Sequence, residues 1–138
     1  MLLKNATILK KKDTNSKKND GKQLHFLNLH LQDGNGQKGY YRFGESAVSE
    51  TMAYLMEEKL FGAQKISNFP YKSCMKVAEY LETDFTENKE NLFALCDLAM
   101  CYPHPGMAFY TTLLDFNRNK FEPKQTEEIY FLVDLILQ

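Results

Sequence analysis

Gly21-Lys-Gln-Leu-His-Phe-Leu-Asn-Leu-His-Leu-Gln-Asp-Gly-Asn-Gly-Gln-Lys-Gly-Tyr-Tyr-Arg-Phe-Gly44 has the pattern of a β-hairpin that carries aromatic, imidazole and guanidinium groups. From Leu24 to Leu31 the side chains alternate. Leu27, Leu29 and Leu31 fall on one face, and Leu24, Phe26, Asn28 and His30 on the other, which is the period of a half-buried strand. Asp33-Gly-Asn-Gly36 follows, and Gly and Asn are the residues that supply the positive φ of a tight hairpin. Tyr40-Tyr-Arg-Phe43 then reads as the returning strand. If the three leucines face a core, Phe26 and His30 face outward. Periodicity leaves open which of Tyr40 and Tyr41 does so, and a one-residue bulge would reverse the whole assignment.

Working outward, Asn5 to Lys12 reads as a first strand, with Ala6 and Ile8 on one face and Thr7 and Leu9 on the other. It runs through Lys10, Lys11 and Lys12 into a segment, 13–21, without a large apolar residue, which predicts an exposed loop. After Phe43 the period changes. Val48, Met52, Leu55, Met56 and Leu60 predict a helix from about Ser46 to Phe61, with Ser46 or Ser49 as its cap and Gly62 as its end. Pro70 fits the first turn of a second helix that carries Cys74, Val77 and Ala78 to about Leu81. Thr86 is placed to cap a third, with Leu92, Phe93, Leu95, Cys96 and Ala99 as its apolar face and Pro103 and Pro105 to stop it. A strand over Leu92–Tyr102 is the alternative there. Met107–Phe116 is rich in aromatic and β-branched residues and reads as a fourth strand. Glu128–Leu137, mostly apolar, reads as a fifth, covered on both sides.

The 138 residues suit one domain, 1–138, with a helical insertion at about 46–100. A 43% hydrophobic and 25% charged composition is ordinary for a soluble protein, and no apolar run is long enough to span a membrane. The first residues lack the order of a signal peptide, and three cysteines do not form a secreted disulfide framework, so the expected location is the cytoplasm. The net charge is only −1, yet it is unevenly distributed. Residues 1–42 carry nine basic and three acidic side chains, a net of +6, so the remaining 96 carry −7. One basic surface for a polyanion is one reading; a solvated lysine loop is the other.

The order of three strands, helices, then two strands is that of a five-stranded OB-fold-like barrel, mainly β with helices between strands 3 and 4. In that architecture the face of strands 2 and 3, with the loops joining strands 1–2 and 4–5, binds oligonucleotides. The residues expected there are Lys10, Lys12, Lys17, Lys18, Lys22, Phe26, His30, Lys38, Tyr40 and Arg42. Rings stack under bases without reading their identity, and lysines follow the phosphates. The hairpin Gly21-Lys22…Leu31-Gln-Asp-Gly34…Tyr41-Arg-Phe43, with the lysine loop and the five-strand order, resembles small OB-fold single-stranded-DNA-binding proteins of Gram-positive conjugative plasmids and phages. The likeness covers residues 1–44 and 107–138. It implies a protein that coats single-stranded DNA during plasmid transfer or replication, as a homo-oligomer along the DNA. Asp134–Gln138 lacks the acidic tail of housekeeping members, there is no Trp, and the helical insertion is large.

Catalysis is the weaker class of reading. Cys96, Cys101 and His104 have part of the spacing of a zinc site but need a fourth ligand, His25 or His30. Cys96 on an apolar face reads more simply as a small buried hydrophobe. His104 has no nucleophile to pair with, and Gly34 and Gly36 do not precede a helix as a phosphate-cradling loop would. Glu57, Glu58, Asp84, Glu87 and Glu90 read as solvated surface. No cofactor is expected. The alternatives to single-stranded DNA are double-stranded DNA or RNA, and, in a different class, a protein–protein adaptor or phage-borne inhibitor.

Overall fold

In the computed structural model, which describes residues 6–17, 23–81, 83, 87–121 and 123–137, three strands are followed by five helices. The strands are β1 (Thr7–Lys17), β2 (Gln23–Gln32) and β3 (Lys38–Phe43), an open antiparallel sheet in the order β1-β2-β3. The helices are α1 (Glu45–Phe61), α2 (Ser73–Tyr80), α3 (Lys89–Ala99), α4 (Pro105–Arg118) and α5 (Thr126–Leu137).

The five-stranded barrel is therefore overturned: Met107–Phe116 and Glu128–Leu137, read as strands 4 and 5, lie in α4 and α5. The composition of both suited a strand, but the burial of α4 follows a helix. In α4, Phe109, Leu113 and Phe116 are buried at spacings of four and three residues. Pro105 occupies the first turn of α4, where its missing N–H costs no hydrogen bond. The helices at 46–100 are consequently part of a continuous helical layer rather than an insertion between strands.

The meander obeys the alternation. Leu27, Leu29, Leu31 and Phe43 are fully buried, each such side chain contributing about 1.5–3 kcal/mol by leaving water. Phe43 packs under α4, its ring 5.9 Å from that of Phe109, while the Tyr41 ring meets Phe69, in the segment between α1 and α2, at 5.1 Å. The loop from β2 to β3 is held by Asp33, whose carboxylate Oδ1 accepts from the Asn35 and Gln37 backbone N–H groups at 2.9 Å each. Of the turn residues only Gly36 takes positive φ, at 81°, so Asn35 does not share that role.

Several boundaries shift. β1 continues beyond Lys12 to Lys17, so part of the expected loop is strand. Gly44, rather than Ser46 or Ser49, is the N-cap of α1, without a side-chain cap, while Gly62 ends that helix at φ 85° and donates to the Glu58 carbonyl. The buried face of α1 runs through Ala47, Val48, Thr51, Tyr54 and Leu55, leaving Met56 and Leu60 exposed. Pro70 precedes α2 rather than entering its first turn. Asn88 caps α3, its side chain accepting from the Asn91 N–H, while the expected cap, Thr86, lies outside the described residues. A small buried polar network ties α1 to α2: Ser73 donates to the Ala47 carbonyl at 3.1 Å, and the Cys74 N–H donates to the Thr51 hydroxyl at 3.2 Å.

Candidate nucleic-acid interface

The alternation that buries the leucines places Phe26, Asn28, His30 and Gln32 of β2, with Lys38, Tyr40 and Arg42 of β3, on the opposite face of the sheet. None of these seven is buried, and the ring packing of the sheet against the helical layer is made by Tyr41 and Phe43, from the other side. On this face Lys38, Tyr40 and Arg42 are exposed, and Phe26, Asn28, His30 and Gln32 are half-buried.

Two composite surfaces stand on it. His30 and Tyr40 are directly opposite in the register, and their rings meet edge to face with centroids 4.7 Å apart. Tyr40 is 68% exposed, so one ring face is open to a ligand. The Arg42 guanidinium carbon lies 3.9 Å from the Phe26 ring centroid, a cation–π stack. Asn28 is the register partner of Arg42, so the guanidinium leans diagonally toward Phe26. The choice between the two tyrosines is settled by the same pleat. Tyr41 is the inward one, and burial pushes its phenol up to about 12.

The bases at the other edge are fixed through the backbone. A register shift between Ile8 and Lys10 sets Lys10 opposite His30 and Lys12 opposite Asn28. Without that bulge, the period-2 rule would put both lysines in register with the leucines. Lys17 lies opposite Gln23, at the far end of the pair. Lys38 is exposed and opposite Gln32. Of the ten expected site residues, Lys18 and Lys22 lie outside the described residues. The loop between strands 4 and 5, the second half of the expected site, does not exist because those strands are helices. Asn28 shares this face but is not among the ten expected residues. Its signal was present in the alternation, which set it between Phe26 and His30, but a search for rings and basic groups passes over an amide.

The other candidate chemistry disperses. Cys96 is buried against Cys74, and desolvation pushes its thiol well above the usual range. Cys101 is exposed on its own. Among the described residues, no three His, Cys, Asp or Glu side chains are grouped to hold a metal ion. Glu58 is not merely solvated: it accepts from the Tyr54 hydroxyl at 2.5 Å and is paired with Lys89. Beside it, a cavity of about 500 Å³ opens between α1, α3 and α5, floored by Leu55, Phe93 and Ala94. Lys89 with Glu58 and Lys59 with Glu90 balance its charge. No described helix is long and apolar enough to cross a membrane.

No family model matches the chain, and no match was found among curated proteins or solved structures.

Proposed function

We propose that the protein binds single-stranded DNA, without catalysis, on the outer face of its sheet. The observation that carries this reading is the pairing of an exposed Tyr40 ring against His30 with an exposed Arg42 guanidinium over Phe26, on one face of the sheet. Both units present flat surfaces to solvent, and unpaired bases stack on aromatic rings and guanidinium planes. Lys38 is exposed on the same face, and the backbone register brings Lys10 and Lys12 into its rows, so phosphates have cationic partners. The +6 charge of residues 1–42, which hold most of the sheet, against −7 for the rest supports one basic side on a nearly neutral protein. Stacking contributes on the order of 1–3 kcal/mol per base and is tolerant of base identity.

Fluorescence anisotropy with labelled oligo-dT, oligo-U and a matched duplex, each at low and moderate salt, tests the reading. Binding to the single strands that falls steeply with salt is the expected result. Preference for oligo-U would change the ligand to RNA, and absence of binding to all three would overturn the reading. A second reading, a protein adaptor, has one observation in its favour: Leu60 and Phe61 of α1 and Phe131 of α5 are large, apolar and exposed. Salt-insensitive capture of a protein without DNA binding would select it.

A further inference from the structure

On that reading of the sheet face, we infer that Asn28 contacts the edge of one unpaired base held between the two stacking surfaces. Phe26, Asn28 and His30 occupy alternate positions of β2 on one face. Phe26 and His30 are four residues apart, hence separated by roughly 13 Å along the strand. The Tyr40 ring belongs to the His30 end and the Arg42 guanidinium to the Phe26 end. Bases that stack on one another in a duplex expose no free ring face to either surface. An unpaired strand with one base on each surface has to cross the interval, which is wider than one nucleotide step, and the nucleotide in between passes over Asn28.

What Asn28 offers there is specific. Its side chain is half-buried on this face, between the rows of Phe26 and His30. Of its two cross-strand register partners, Lys12 in β1 and Arg42 in β3, the second is drawn away to the Phe26 ring. A carboxamide places an N–H donor beside a C=O acceptor. The same pair, reversed, stands on the N6/N7 edge of adenine, the base that Asn and Gln read in two hydrogen bonds. The outer positions then remain tolerant of sequence, because rings and guanidinium see only π faces, and selectivity is confined to the middle one. Asn28 is in this sense the specificity-determining residue of the face.

The test uses single-stranded DNA probes of fixed length that are abasic except at three adjacent positions, so that one register alone places bases on both surfaces. One probe carries thymine-adenine-thymine and the other thymine-abasic-thymine. For the unaltered protein the adenine probe is expected to bind at least about fivefold more tightly. In Asn28→Ala, and in Asn28→Thr as a second variant that keeps a good strand former at this position, the two probes should bind equally, with affinity for the abasic-centre probe retained. Circular dichroism on both variants establishes that the sheet is formed. A preference for the adenine probe that survives in both folded variants, or one absent from the unaltered protein, overturns the role of Asn28 and leaves the sheet-face reading standing. Failure of every probe, including oligo-dT, to bind the unaltered protein overturns both.

Discussion

The guanidinium carbon of Arg42 sits 3.9 Å from the centroid of the Phe26 ring, a diagonal contact across β2 and β3. A contact of this kind leaves the side of the guanidinium away from the ring, and its N–H groups, free to meet a ligand. A lysine has the same charge but no plane. Arg42→Lys should therefore weaken oligo-dT binding several-fold while leaving the slope of affinity against salt unchanged. Arg42→Ala should weaken it and also reduce that slope by about one. Titrations at a series of salt concentrations read both quantities. Equal affinity for the unaltered protein and Arg42→Lys would reduce Arg42 to a point charge.

Tyr40 and Tyr41 are neighbours with opposite duties, and the same substitution separates them. Tyr40 is exposed and touches His30, whereas Tyr41 is half-buried against Phe69. Tyr40→Ala should cost on the order of 1–3 kcal/mol of oligonucleotide binding and leave the thermal midpoint nearly unchanged. Tyr41→Ala should instead lower the midpoint, as truncating a large side chain packed on the core costs about 3 kcal/mol or more when fully buried and less here. A melt and one titration on each variant suffice. A destabilised Tyr40→Ala would move that ring into the structural framework.

How much of this was legible in the sequence depended on how each segment meets water. β2 has one dry face and one wet face, so Leu27, Leu29 and Leu31 announce the strand and its orientation without further help. α4 has Pro105, Gly106, Ala108, Phe109, Tyr110, Thr112, Leu113 and Phe116 all inside, and a short run this rich in apolar residues fits a buried strand as readily as a helix face. Its aromatic and β-branched composition then argued for a strand. The better guide was Pro105, which fits a helix start and disfavours a strand, and in α5 it was Glu127 and Glu128 in a first turn. The outer face of the sheet survived the loss of the barrel because it depends on the local hairpin alone. The bulge between Ile8 and Lys10 was not legible, since an extra residue leaves no mark on composition.

Gly106 joins the helical layer to the site. A Cβ at this position would lie 2.7 Å from the Phe43 carbonyl oxygen and 2.8 Å from the Gly44 Cα. Both are backbone atoms at the junction between β3 and α1, so neither can rotate out of the way. Gly106→Ala should destabilise the protein by about 1–3 kcal/mol, the usual range for forcing volume into a packed contact. The displaced segment directly follows Arg42, so oligonucleotide affinity should fall as well. Urea unfolding and a binding titration measure the two effects. An unchanged unfolding midpoint would mean that α4 is free to move away from the sheet.

Glu58 supplies a pH dependence unrelated to the sheet face. The Lys89 ammonium beside it, and then the Tyr54 hydroxyl, hold its carboxyl below the usual glutamate range. The hydrogen bond also acts on the phenol: burial first, then Glu58, pushes Tyr54 up to about 12. A carboxyl whose folded-state value is depressed contributes stability above the unfolded value, and that contribution is lost as pH falls through the folded one. Glu58→Gln removes the ionisation while keeping the shape. The stability gap between the two proteins should be widest at neutral pH and should close as the pH drops below the ordinary carboxylate range. Urea melts across that interval measure it. A gap that stays constant from neutral to acid would show that Lys89 and Tyr54 hold the side chain by packing and not through its charge.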